Sequence, residues 1–206
     1  LLPGHLLRVQ GGTVEVAPWY DLVQAAKRYP TPGEPVRHLR ELLDDAVRLR
    51  LVSEVPTGTF LSGGLDSSIV SALAARPHRC LHTFSIGFAD DPYFDETRHA
   101  EAVARHIGSE HRTFKLTREE LAAAYSDLLQ AIDEPFADSS ALPAFILCRE
   151  TRKHVTVALS GDGADELFGG YRKHQAELRY GAPGAAERAV LALGGLWRRL
   201  PRSRNN

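Results

Sequence analysis

The sequence predicts an α/β fold, a parallel sheet with helices on both faces, and three observations predict it. Short apolar runs alternate with stretches of helical periodicity from Val36 to about Asp165, the pattern of successive strand–helix units. Two of those strands run straight into loops of glycine, serine and acid, "LSGGLDSS" and "LSGDGADE", and open parallel sheets bind ligands beyond the carboxyl ends of their strands. At 206 residues and 43% apolar content the chain can bury a full core in one principal domain.

Charge and cysteine usage narrow the class. A formal net charge of -1 gives no overall pull toward nucleic acid or an anionic membrane, and no uninterrupted apolar run approaches a membrane span. Cys80 and Cys148 lie far apart in apolar or mixed surroundings, which fits neither a metal cluster nor a disulfide framework and predicts a reducing, cytoplasmic compartment. The opening "LLPGHLLRV" lacks a methionine and starts inside an apolar pattern, so the chain reads as a fragment.

Taken in order, Leu6 to Val16 alternates around "QGGT" as a hairpin, and "APWYD" leads to a Pro- and Gly-containing connection, "YPTPGEP", where a boundary is placed. Val36, Leu39, Leu43, Ala46 and Val47 recur at helical spacing and predict an amphipathic helix over Val36 to Val52. Strand–helix pairs follow: Gly58 to Leu61 with Ser67 to Ala75, His82 to Ile86 with Glu96 to Ile107, and His111 to Lys115 with Glu119 to Ile132. A last unit places a helix over Ala141 to Lys153, a strand over Val155 to Leu159 and a helix from about Asp165. The tail from Gly181, rich in Ala and Gly and ending "WRRLPRSRNN", is read as a solvated, frayed terminus.

The first loop is built for an anion. Gly63 and Gly64 permit positive φ and close approach to the backbone, so successive N–H groups can face one phosphate. The helix opened by Asp66, Ser67 and Ser68 adds unpaired N–H groups and partial positive charge. No GxxxxGK[ST] run is present, and a cradle without lysine suits the pyrophosphate released when ATP is cleaved between its α and β phosphates. That points to adenylation rather than γ-phosphate hydrolysis. The alternative is a plain turn, with Asp66 or Ser67 capping the helix.

The second loop sets Ser160, Gly161, Asp162, Gly163, Asp165 and Glu166 between a strand and a helix. Three carboxylates gathered at a strand end repel one another unless a cation sits among them, and Mg²⁺ takes carboxylate and phosphate oxygens together. Asp66 and Asp165 are the expected metal ligands. Here too a capped helix start with solvated acids is the alternative.

"FLSGGLDSS", "TFSIGF" and "DEPFADSSALPAFILCRETRKHVTVALSGDGADELFGGY" together resemble, in order and over roughly Val36 to Tyr171, the synthetase domain of glutamine-dependent asparagine synthetases, of the PP-loop ATP pyrophosphatase group. The resemblance implies a Rossmann-like, adenine nucleotide alpha hydrolase-like sheet. It implies that residues 31–206 are the ATP-binding synthetase domain, incomplete at its C-terminus, and that residues 1–30 are the end of a glutaminase domain plus linker. It implies a reaction in which ATP and the aspartate side-chain carboxylate give β-aspartyl-AMP and pyrophosphate, ammonia then displacing AMP to form asparagine. By motif position, Ser62, Gly63, Gly64, Asp66, Ser67 and Ser68 would hold pyrophosphate. Leu61, Ile86, Ser160 and Gly161 would contact the adenosine part of ATP. Asp162 would handle the proton of incoming ammonia, and Glu166 with the segment Asp133 to Leu142 would line the amino-acid side.

Two departures qualify that picture. The family often carries glutamate where Asp162 stands, one methylene longer, so the reach to an incoming nitrogen changes. Glutamine-dependent members also begin with a catalytic cysteine whose role neither Cys80 nor Cys148 can take, so ammonia is expected from a glutaminase domain missing here. The family's catalytic lysine lies beyond the acidic loop, and Lys173 is too close to the motif to inherit the role.

Other functions fall to simpler readings. His5, His99, His106 and His111 lie on unrelated elements and are read as surface or locally bonded. Tyr93, Phe94 and Phe136 are read as packing near the pocket rim, and "FADDPYFDE" as an acidic loop and helix start. A relative acting on another carboxylate, a non-catalytic nucleotide-binding module and a tRNA-modifying enzyme of the same group are the rivals. Neither nucleic acid nor membrane is expected as a partner, and a homodimer is left open.

Overall fold

A computed structural model describes residues 1–28, 33–77, 80–134 and 137–192. These residues fall into two compact units, Leu1–Ala46 and Val47 onward. In the first, β1 (His5–Gln10) pairs antiparallel with β2 (Thr13–Pro18), Gln10 opposite Thr13. Gly11 and Gly12 make the turn with φ of 56° and 80°, values that a two-residue hairpin linking right-twisted strands requires. A short helix the sequence did not announce, α1 (Leu22–Arg28), starts at Asp21, whose Oδ1 accepts the N–H groups of Val23 and Gln24. Then α2 (Pro35–Arg50) begins on its proline, the position where a missing N–H costs nothing.

The second unit is the predicted α/β fold. Strands β3 (Thr57–Phe60), β4 (His82–Phe88), β5 (Glu110–Leu116) and β6 (Val157–Leu159) form a parallel sheet in the order β5-β4-β3-β6. Helices α3 (Leu65–Ala75), α4 (Thr97–Ile107), α5 (Arg118–Ala131) and α6 (Ala141–Thr151) connect them. Local signals set several boundaries. Gly108, at φ 69°, closes α4, and Thr117 with Glu120 forms a reciprocal capping box at the start of α5.

Side chains alternate along β4, and the two faces of the sheet differ in kind. On the α5/α6 face Phe84 stacks on Phe114 at 6.2 Å, and Ile86 joins a buried cluster of Leu116, Ala124 and Ile146. On the α3/α4 face the buried sheet residues are largely hydroxyl-bearing. Thr59 Oγ1 lies 2.7 Å from Ser71 Oγ, and His111 shares hydrogen bonds with Thr83, Ser85 and Thr113 at 2.8–3.2 Å. The apolar part of that side is Leu61 with Ala100, Ala104 and Val103.

The structure redraws four expectations. β4 continues through Ile86 to Phe88, because Gly87 and Phe88 keep pairing with Lys115 and Leu116; Ile86 is therefore interior to its strand rather than at its end. β6 is shorter than expected, since Val155 and Thr156 approach the sheet before the ladder starts and the Thr156 N–H goes to the Pro56 carbonyl. The helix from Asp165 is broken into α7 (Ala164–Phe168) and α8 (Arg172–Gly181) by Gly169 at φ 68°. Within the tail, Ala185–Ala192 is a helix, α9; its basic end lies outside the described residues.

Candidate active site

β3 stops at Phe60, but the next residue is still anchored. Leu61 donates its N–H to the Phe84 carbonyl at 2.8 Å and is 1% exposed, so the loop leaves the sheet from a fixed point. Two hydroxyls then fold the loop on itself. Ser62 Oγ and Ser67 Oγ are 2.9 Å apart, Ser67 Oγ accepts the Ser62 N–H, and Ser62 Oγ accepts the Gly64 N–H. Gly63 has φ 86°, and a Cβ there would come within 2.5 Å of backbone atoms of His99 and Ala100, so only glycine fits. Gly64 is the N-cap of α3 and no side chain caps that helix, Ser67 being turned back into the loop. The capping alternative for "SGGLDSS" is therefore not what forms. The first-turn N–H groups are left for a ligand or water. Ser68 Oγ is shielded from solvent and has no protein partner.

The second loop follows β6, the strand hydrogen-bonded beside β3, so the sheet order brings together two loops remote in sequence. Gly161 is where they meet. A Cβ on it would lie 2.8 Å from Ser67 N and 3.0 Å from Asp66 Cβ. Ser160 Oγ donates to Asp162 Oδ2 at 2.9 Å and accepts the Asp162 N–H, which pins the loop. Gly163, at φ 93°, opens α7 with no side-chain cap, and Gly170 N donates to the Asp165 carbonyl as the helix ends. That reversal returns Tyr171, whose hydroxyl donates to Glu166 Oε1 at 2.6 Å.

These hydrogen bonds set the electrostatics. The Tyr171 bond holds the Glu166 carboxyl below its ordinary value, and the same bond, with the charges of Glu166, Asp165 and Asp162, pushes the tyrosine hydroxyl up to about 12. Partial desolvation of the thiol, and then the charge of Asp162, pushes Cys148 on α6 up, although the residue as a whole is exposed, as is Cys80. The three acids of the second loop do not form the gathered cluster that their spacing suggested. Asp162 is tied to Ser160 and Glu166 to Tyr171, and among the described residues no three His, Cys, Asp or Glu side chains are disposed as a metal shell. Asp66 and Asp165 each carry one carboxylate on the two loops that meet at Gly161, the Asp165 carboxylate lying beside Gly170. That fits Mg²⁺, which is ordinarily held by one or two carboxylates with phosphate oxygens and water completing the octahedron.

The remaining predicted residues fall as follows. Ile86 packs its side chain into the core. Because Phe84 turns its carbonyl toward β3, strand alternation turns the Ile86 N–H and C=O to the same edge, past the last β3 pair. Asp138, in the segment assigned to the amino-acid side, is held by Ser140 N–H and Oγ at 2.8 and 2.7 Å; Pro135 and Phe136 lie outside the described residues. Tyr93 and Phe94 pack mainly on each other, and Tyr93 is 87% exposed, so it is not the rim packing expected of it. Asp90, Asp91 and Asp95 accept the N–H groups of Arg118, Tyr93 and Thr97, the acidic loop and helix start anticipated for that stretch. A cavity of about 210 Å³ near Phe88 and Phe94 is smaller than the ~300 Å³ lower bound of ordinary ligand pockets. Sequence reasoning assigned no role to Tyr171; the Gly169–Gly170 pair just before it was the available signal of a chain reversal.

The family model described as asparagine synthase matches residues 38–205. "Asparagine synthetase [glutamine-hydrolyzing] 1" of Bacillus subtilis is 41% identical over 143 residues, 69% of this chain and 22% of that protein. A putative asparagine synthetase of Methanocaldococcus jannaschii is 44% identical over 66% of this chain and 26% of its own length. "Asparagine synthetase [glutamine-hydrolyzing] 3" of Bacillus subtilis is 32% identical over 96% of this chain and 35% of its own length. The chain thus spans between a fifth and about a third of these relatives. Among solved structures, an NH3-dependent NAD synthetase from Campylobacter jejuni aligns over 66% of this chain and 60% of that one at 14% identity and a TM-score of 0.42, a distant likeness that decides nothing. The family match takes in both loops and the strands that carry them, and the chain belongs to the asparagine synthase family.

Proposed function

We propose that this chain is the ATP-using, amide-forming part of an asparagine synthetase, activating the side-chain carboxylate of aspartate as an acyl adenylate for amidation by ammonia. The observation that carries the reading is the uncapped start of α3 with Gly161 of the second loop laid against Ser67 and Asp66. A ligand seated there meets backbone donors from one loop and carboxylates from the other. The family membership supports ATP as substrate, and the names of the relatives support aspartate as acceptor and glutamine-derived ammonia as nitrogen source. In this reading residues 31–206 are the synthetase domain, and residues 1–30 are the end of a glutaminase domain with its linker.

In the first step the aspartate carboxylate oxygen attacks the α-phosphorus and the bond to the bridging β-phosphate oxygen breaks. Negative charge builds on the leaving pyrophosphate, which would be received in the loop of Ser62, Gly63, Gly64, Ser67 and Ser68 by the uncapped N–H groups that open α3, the Ser62–Ser67 hydroxyl pair holding that loop in shape. Asp66 and Asp165 would hold magnesium, which when bound supplies further charge neutralisation to the phosphates. Leu61, the backbone of Ile86, Ser160 and Gly161 line the adenosine side. Holding both substrates between adjoining loops removes much of the entropic barrier to their encounter. In the second step ammonia attacks the acyl carbon, the carbon–oxygen bond to AMP breaks, and the nitrogen loses a proton to Asp162, the loop acid tethered by Ser160.

Pyrophosphate release from Mg-ATP, measured with aspartate and with other carboxylates, tests this. We expect release that requires aspartate, falls at least about a hundredfold in Asp66→Ala as for loss of a main electrostatic stabiliser, and yields asparagine when ammonium is added. Release triggered by a different carboxylate would reassign the acceptor; release with none would refute the enzymatic reading.

A further inference from the structure

Glu166 and Tyr171 form a pair that phosphate chemistry does not require. The hydroxyl of Tyr171 donates to Glu166 Oε1 at 2.6 Å, a short bond for two exposed side chains. The tyrosine is held in turn. Lys173 Nζ lies 4.5 Å from the centre of its ring, and His174 meets the ring edge-on at 5.4 Å. The backbone prepares the arrangement: α7 lasts five residues, Gly169 reverses the chain at φ 68°, and a side chain on Gly170 would strike the Asp165 carboxylate. Two successive glycines are thus what bring residue 171 back over residue 166. A surface side chain ordinarily samples several rotamers, and fixing one costs conformational entropy. Here the carboxylate is fixed by a neighbour that is itself fixed from two sides.

We infer that Tyr171 is a positioning residue that holds Glu166 as the receptor for the α-ammonium group of the amino-acid substrate, so that the site selects an amino acid over a plain dicarboxylate. This rests on the reading that an amino-acid carboxylate is the acceptor. The chemistry of the neighbours narrows the role to Glu166. Asp66 and Asp165 face the phosphate side in that reading, and Asp162 is tied to Ser160. Glu166 is left as the ionised group of the second loop with a defined orientation and no metal or proton-transfer duty. An ammonium group needs such an acceptor, and a carboxylate that accepts the Tyr171 hydroxyl on Oε1 still has lone pairs for a further charged donor.

The test is binding, so it does not depend on turnover. L-Aspartate and succinate, which lacks the ammonium group, are titrated into the chain saturated with Mg²⁺ and α,β-methylene-ATP, for the unaltered protein, Tyr171→Phe and Glu166→Gln. We expect Tyr171→Phe to weaken L-aspartate about tenfold while succinate and the nucleotide analogue bind as before, since a single charge-assisted contact is of that order. Glu166→Gln should do the same independently, and the double variant should be no worse than either. The charged groups around the pair are Asp162, Asp165, Lys173 and His174. Equal loss for aspartate and succinate, or no loss in Tyr171→Phe, overturns the positioning role. A protein that binds the nucleotide analogue but neither acid overturns the acceptor reading and this role with it. One that binds aspartate normally in Tyr171→Phe overturns this role alone.

Discussion

The two loops at the carboxyl end of the sheet solve opposite problems. The first, from Ser62 to Ser68, carries one charge and is knit together by hydroxyls and backbone, with Gly63 pressed against the start of α4. The second, from Ser160 to Tyr171, carries three carboxylates and keeps them apart, giving Asp162 to Ser160 and Glu166 to Tyr171. A loop that offers donors must be rigid before the anion arrives, because donors already aimed need no reorganisation. A loop of acids must hold each charge on its own tether, because close like charges raise one another's pKa and lose ionisation. Their contact at Gly161 is what the proposed shared use of both loops by one ligand rests on.

Breaking the first loop should have the largest effect. Gly63→Ala places a Cβ at positive φ and against the backbone of His99 and Ala100. We expect it to destabilise the fold by about 3 kcal/mol, the sum of backbone strain and overpacking, read by denaturant unfolding. Separating the loops comes next. Gly161→Ala should lower aspartate-dependent pyrophosphate release about a hundredfold with a smaller change in stability, since a shift of an ångström or so at the reacting centre has that consequence. If its release matches that of the unaltered protein, the loops act independently.

Two milder changes probe the layer on which the first loop stands. Thr59→Val leaves the buried Ser71 hydroxyl without its 2.7 Å partner and should cost about 1–2 kcal/mol. The double change with Ser71→Ala should recover most of that loss, because no polar group then stays unsatisfied. His111 gives the smallest effect, seen in pH. Burial pushes its imidazole below the ordinary 6.5, against the opposing charge of Glu101. The folded protein thus refuses a proton the unfolded chain accepts. Its contribution is complete above about pH 6.5 and declines as pH falls toward the lowered folded value. Stability of the unaltered protein should therefore fall more steeply than that of His111→Asn between pH 6.5 and 5, about a unit and a half of acidification across which model histidine titrates.

Much of this was legible without coordinates, for a local reason. Strand–helix alternation and the hairpin at Gly11–Gly12 are short-range patterns, and each appears where its residues placed it. α1 and α9 escaped because seven or eight residues seldom show a decisive period, and α8 because the helix from Asp165 was expected to continue. The glycine loops suggested an anion site through composition, and the structure shows how they fold. That Ser67 would turn into the loop and leave α3 uncapped was not readable, since Ser and Asp at a helix start serve equally well as caps.

The sequence by itself determined the class of fold, the two loops and their chemical character, because periodicity and residue type act within a few positions. Only the tertiary structure decided which residues meet. The order β5-β4-β3-β6 sets the strands of the two loops side by side, the missing side chain of Gly161 closes the gap between them, and the reversal at Gly169–Gly170 returns Tyr171 to Glu166. The first two contacts join segments whose separation along the chain carries no local signal, and packing selects them; the third closes over five residues, and its glycine pair signals a reversal without naming the partner.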